Sequence, residues 1–228
     1  MKILALILLL ATAFAARADY AAVLSEHVDE HGMVNYAALK AARAPLDAYV
    51  RTLENPDATG WVEADWIAFW INAYNARTLQ VIIDHYPTEG IREIRGAWTR
   101  LKVPVLGEDR TLDEIEHEIL RKEFQEPRIH MALVCAARSC PKLRNEPYVG
   151  ARLEQQLTDQ SRDFLARPDR FRVEGDTAYV SRIFKWFKKD FDSVPAFIQT
   201  YSGRDVFNLK IKYQAYDWSL NEQNRRDP

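Results

Sequence analysis

Cys135 and Cys140 are the only cysteines of the chain, and both fall with His130 inside RIHMALVCAARSC, residues Arg128 to Cys140. A thiol becomes a nucleophile when an imidazole can take its proton, and the imidazole needs a third group to fix its tautomer and orientation. Five histidines are available. His27 and His31 lie on a polar segment near the N-terminus, and His85 ends a long helical pattern just before Tyr86-Pro87. His117 and His130 remain as candidate bases, both close in sequence to the cysteines.

Residues 129–135, IHMALVC, read as a short buried strand. On a strand His130 and Cys135 would point to opposite faces, about 16 Å apart, and would not pair. Cys140 lies beyond AARS, where the chain can double back. It is followed by Pro141, a good first helical residue, and a helix N-terminus lowers a thiol pKa. Cys140 is therefore the expected nucleophile and Cys135 the expected core residue. The third group is sought in LDEIEHEILRKEF, a helix expected from about Leu112 to Phe124, where Thr111 and Glu114 form a capping box. Its apolar stripe of Leu112, Ile115, Ile119 and Leu120 contains Glu116. A buried carboxylate needs a cation or hydrogen-bond donors, and orienting an imidazole would meet that need. Structural readings compete: an ion pair of Glu116 with Arg121 or Arg128, a small disulfide loop closed by Cys135 and Cys140, and His117 as rival base or structural residue.

These groups must be positioned by the rest of the chain. Tyr20–His31 and Tyr36–Leu53 read as helices, and ENPDATG as a turn region. ADWIAFWINAYNARTLQVIIDHYP should be a helix of about five turns ended by Pro87, apolar all round and so the buried centre of the domain. Asn72 and Asn75 share a face of it, and buried amides must be hydrogen-bonded. They either bind the backbone of a neighbouring loop or line a pocket as oxyanion donor or substrate contact. Beyond Cys140 the pattern gives a helix over about Tyr148–Ala166, a hairpin in FRVEGDTAYVS turning at Gly175-Asp176, two short helices and a last strand in NLKIKYQAYDWSLN. Helices first, then helices mixed with antiparallel strands, indicate an α+β domain.

The N-terminal MKILALILLLATAFAARA has the charge, apolar run and Ala16-Arg17-Ala18 pattern of a signal peptide cleaved after Ala18. Its apolar run is too short to span a bilayer. Residues 19–228 would then form one exported domain, periplasmic or secreted, with no integral membrane segment. The formal net charge of −2 gives no general attraction to nucleic acid. WFKKDF and the tail NEQNRRDP read as solvated charge. No HExxH, paired CxxC, EF-hand, phosphate-binding glycine loop or GxSxG motif occurs, so neither a metal nor another cofactor is expected.

FWINAYNA, LDEIEHEILR, RIHMALVCAARSCPKLR and YDWSLN, in that order, make the chain resemble the bacterial, mostly exported proteins grouped as domain of unknown function 547. The resemblance implies a fold similar to papain-like and transglutaminase-like thiol enzymes, with a buried central helix packed on an antiparallel sheet. It also implies a Cys-His-acid site, carried here by Cys140, His130 and Glu116. In papain-like enzymes the nucleophile opens the central helix. FWINAYNA has no cysteine, and the order here is Glu, His, Cys. The expectation is a cysteine-dependent hydrolase or transferase acting on an amide or thioester of a small molecule or peptide. The alternative is a non-catalytic exported binding module with a structural Cys135–Cys140 pair.

Overall fold

The structure, a computed structural model, describes residues 20–223. The signal-peptide reading of residues 1–18 and the last five residues of the tail lie outside them. Helix α1 covers 20–27, followed by α2 (Tyr36–Ala41) and α3 (Ala44–Thr52). The expected single helix over 36–53 is thus two. Pro45 sits in the first turn of α3, where its missing N–H is harmless, whereas inside a continuous helix it would break the ladder.

The long apolar pattern forms α4 (Glu63–His85), whose residues from Ile67 to Ile83 are almost all buried. This helix is the axis of the larger of two hydrophobic cores. It packs against α2, α3, the helix over 112–123 (α5) and α6 (Leu153–Ala166). The expected packing of the central helix on an antiparallel sheet is therefore corrected: α4 is ringed by helices. β1 (Val103–Val105) and β2 (Glu108–Arg110) make a small antiparallel ribbon at its side.

The smaller core lies between α6, β3 (Phe171–Glu174), β4 (Thr177–Val180), α7 (Ile183–Trp186) and α8 (Val194–Ser202), built on Phe164, Phe184, Phe191 and Phe197. Glu174 pairs with Thr177, so the hairpin turns at Gly175-Asp176 as expected, with Gly175 at φ 57°. β5 (Lys210–Tyr213) joins β4 in parallel, which makes this sheet mixed rather than antiparallel. The fold is α+β, and among the described residues no helix is long and apolar enough to cross a membrane.

Residues 129–135 are not a strand. Pro127–Met131 winds as a 3-10 turn and the chain then runs irregularly to Cys140. An apolar run of this length does not distinguish a buried strand from any other buried segment, and side-chain amides supply its backbone partners. Asn75 on α4 donates to the Ala132 carbonyl at 3.0 Å and accepts from the Val134 N–H at 2.9 Å. Gln160 on α6 donates to the Met131 carbonyl at 3.0 Å.

Candidate active site

After Cys135 the chain doubles back, with Ala136 in the left-handed region at φ 61°, a conformation a residue bearing a Cβ adopts only when its surroundings impose it. The imposing partner is the C-terminal segment YDWSLN. The Arg138 N–H donates to the Ser219 carbonyl at 2.8 Å, the Ser139 N–H to the Asp217 carbonyl at 3.1 Å, and the Asn221 N–H to the Ala136 carbonyl at 3.0 Å. Ser139 Oγ accepts from the Asp217 N–H at 2.8 Å. Gly90 permits this docking, since a Cβ there would stand 2.5 Å from the Trp218 carbonyl oxygen. Behind the loop, the buried Arg170 guanidinium donates to the Arg138 carbonyl.

The bend brings the two thiols together, with the free sulfurs of Cys135 and Cys140 2.6 Å apart. The Cys135 N–H points at the Cys140 sulfur at 3.1 Å, and the Tyr216 hydroxyl donates to it at 3.3 Å. Burial alone would push the Cys140 thiol up. The donors Cys135 Sγ–H, Tyr216 and the backbone N–H groups of Ala137 and Cys135 outweigh it and hold the thiol below its ordinary value. Cys135 is driven the other way, by its hydrogen bond to Cys140 and by burial. Of the pair, the surrounding donors favour the thiolate on Cys140 and the proton on Cys135. No helix follows Pro141, so the expected help from a helix N-terminus is replaced by donors of the loop itself.

His130 sits one turn before the bend, 3 % exposed, its ring stacked on Phe187 at 4.0 Å. Its Nε2 meets Asp190 Oδ2 at 2.7 Å. Asp190 is gripped by Arg121, which donates from Nε and Nη2 at 2.5 and 2.9 Å. Burial raises the Asp190 carboxyl, but the bonds from Arg121 and His130 win and keep it below the usual carboxylate range. Burial lowers His130 to about 4 against the opposing pull of Asp190, so the ring is neutral at neutral pH. His130 Nδ1 is buried without a protein partner, and no hydrogen bond joins the ring to either sulfur.

Glu116 does not orient His130. It lies in the π-wound stretch Glu114–Leu120 at the middle of α5, a winding that recurs at functional sites. The capping box that opens α5 is present, with the Thr111 N–H donating to Glu114 at 2.7 Å and the Glu114 N–H to Thr111 Oγ1 at 3.2 Å. Burial raises the Glu116 carboxyl to about 7, partly offset by a hydrogen bond from Tyr74 and the nearby Arg121. His117, next along, is lowered by burial, and its Nδ1 lies 3.1 Å from Arg121 Nη1.

Glu116, His117, His130, Cys135 and Cys140 line one cavity of about 350 Å³. Trp98, Trp186, Tyr216 and Trp218 form much of the remaining wall. Asn72 and Asn75 are not on it. Asn72 donates to the Tyr148 carbonyl at 2.8 Å and accepts from its N–H at 2.9 Å, and Asn75 is taken up by Ala132 and Val134. Both asparagines clamp the segments that flank the site. Asp190, in the run WFKKDF, was expected to be solvated and is instead the partner of His130. The signal for it was the apolar bracket of Phe187 and Phe191 around those charges, which puts one side of the run against the smaller core.

Comparison with known proteins gives no match among curated proteins or solved structures. Residues 59–165 match the family described as "Protein of unknown function, DUF547". That stretch contains α4, Glu116, His130 and both cysteines, and it ends before Trp186, Asp190 and Tyr216. Over that stretch the chain is similar to this family.

Proposed function

We propose that the protein is a cysteine-dependent hydrolase or transferase acting on an amide or thioester, with Cys140 as nucleophile. The observation that carries this reading is the asymmetry of the thiol pair. Two sulfurs lie 2.6 Å apart on the wall of a cavity, and the donors of the bend favour the thiolate on Cys140. In the proposed reaction the Cys140 thiolate attacks the acyl carbon, the bond to the leaving amine or thiol breaks, and the leaving group takes the proton held by Glu116. Water or an acceptor then attacks the acyl–sulfur carbon and gives its proton to His130 Nδ1, the ring nitrogen left without a protein partner. The thiolate is released and the proton returns to Glu116, while Asp190 on Nε2 fixes the tautomer. Closing the pair requires a small movement of the ring or the loop on substrate binding, since catalytic hydrogen bonds often tighten only in the complex. Glu116, poised near neutrality beside the cavity, serves as a proton reservoir. The likeness to papain-like enzymes is proposed at the level of this chemistry.

The reading also takes the protein to be exported, with a mature N-terminus at Asp19. N-terminal sequencing of the protein from a periplasmic or culture fraction should find Asp19, and an intact Met1 in that fraction would overturn this part.

The chemical test is an acyl-trapping experiment. After exposure to a small activated thioester, peptide mass mapping should find the acyl group on Cys140, and the adduct should accumulate when His130 is replaced by Ala. The same proximity of the sulfurs supports a second reading, an oxidised structural pair in a binding module. A Cys135–Cys140 disulfide in protein isolated under non-reducing conditions, together with no adduct after reduction, would favour it and remove the first.

A further inference from the structure

We propose that the cavity recognises an ammonium group, so that the substrate of Cys140 is an acyl compound bearing a primary or quaternary alkylamine. The placement of that amine beside the reacting carbonyl rests on the thiol reading above, whereas recognition of the cation does not.

The wall contains Asp113 and Glu116 but no lysine or arginine. Asp113 stands in the first turn of α5, where its N–H donates to the Trp98 carbonyl at 3.0 Å, which ties the backbone of this residue to the Trp98 end of the cavity. Its side chain is 37 % exposed. Its ion-pair partner among the described residues is His117 at 3.8 Å, an imidazole that burial keeps neutral. Asp113 thus places an acidic side chain on the cavity wall with no basic side chain on that wall to pair it.

Around it, four aromatic rings form a continuous surface. Trp98 and Trp218 meet edge to face at 6.3 Å, Tyr216 lies 4.6 Å from Trp218, and Trp186 lies 4.8 Å from Tyr216. None of the four is fully buried, and Trp186 is 44 % exposed. A cation that meets the face of such a ring is attracted by its quadrupole. Trp218 already takes a cation outside the wall, with the Arg92 guanidinium 5.3 Å from the ring centroid. An anionic ligand would meet the Asp113 side chain and the thiolate favoured on Cys140. A neutral one would leave Asp113 without a partner. A cavity of about 350 Å³ holds a small ligand of this kind, an ammonium head and a short acyl chain.

Calorimetry on the full chain carrying Cys140→Ser tests this with n-butylammonium and tetramethylammonium against butyrate and butanol. Both cations should bind, about tenfold or more tighter than either control. Asp113→Asn, which preserves shape, should weaken the cations about fivefold or more at unchanged circular dichroism. Binding of butyrate or butanol as tight as that of butylammonium, absence of binding by the cations, or unchanged binding in Asp113→Asn would each overturn the proposal. Failure of the thiol reading looks different: the cations bind normally, but no acyl adduct forms on Cys140 of the unmutated protein.

Discussion

The two sides of the cavity are built in opposite ways. On the thiol side most donors to the proposed nucleophile are local: the N–H groups of Cys135 and Ala137 and the proton of Cys135 come from within five residues of Cys140, and Tyr216 adds one from the C-terminal segment. The imidazole side is assembled from distant pieces. Asp190 is 60 residues from His130 in sequence, and Arg121 and Phe187 come from two further elements. A local loop can set the thiol's reactivity with the imidazole uncharged. The long-range cluster can set proton transfer without touching the thiol pKa. This separates the site from one in which an imidazolium creates the thiolate, and replacing each side in turn should expose the difference.

The largest effect should belong to the proposed nucleophile. Cys140→Ser should reduce thioester turnover on the order of 10³-fold or more while leaving the circular dichroism unchanged. Asp190→Asn comes next, with turnover down roughly 10²- to 10⁴-fold because the imidazole loses its fixed tautomer. The rate of Cys140 alkylation in that variant should stay as in the unmutated protein. A large change in alkylation would show that the two sides are electrostatically joined after all. Tyr216→Phe should do the reverse, slowing alkylation at pH 7 about three- to tenfold through loss of one donor to the thiolate. Turnover should fall by no more than that.

The smallest effect is one of stability. Glu116 is protonated in the fold up to about pH 7, whereas in the unfolded chain it ionises near 4.5. The folded state thus holds the extra proton between those values, and its stability falls as pH rises through that window. Glu116→Gln removes the dependence. The variant and the unmutated protein should melt alike below pH 4.5, and the variant should melt about 3 °C or more higher at pH 8.

The same contrast explains what the sequence disclosed. Features governed by neighbours were legible: the capping box at Thr111 and Glu114, the Gly175-Asp176 turn and the apolar α4. Features governed by distant partners were not. The segment over 129–135 reads as a strand because its composition suits one, yet Asn75 and Gln160 from two helices take its backbone groups instead. Pairing of β4 with β5 in parallel depends on the whole C-terminal path. Glu116 is buried in its apolar stripe as expected, but burial does not say which neighbour a carboxylate serves. That role beside His130 falls to Asp190, whose charged surroundings in WFKKDF disguised it. Asn72 and Asn75 show the converse: amides buried on the central helix serve loop backbones, and the structural alternative weighed for them describes their contacts.

Rates of iodoacetamide modification at Cys135 and Cys140, resolved by peptide mass mapping from pH 5 to 10, address the centre of the account most directly. Cys140 should be labelled at least about tenfold faster than Cys135 at neutral pH, with a midpoint below the value of about 8.5 for a free cysteine, and the midpoint should not move in His130→Ala. Faster labelling of Cys135, a Cys140 midpoint at or above that of free cysteine, or a midpoint that rises when His130 is removed would contradict it.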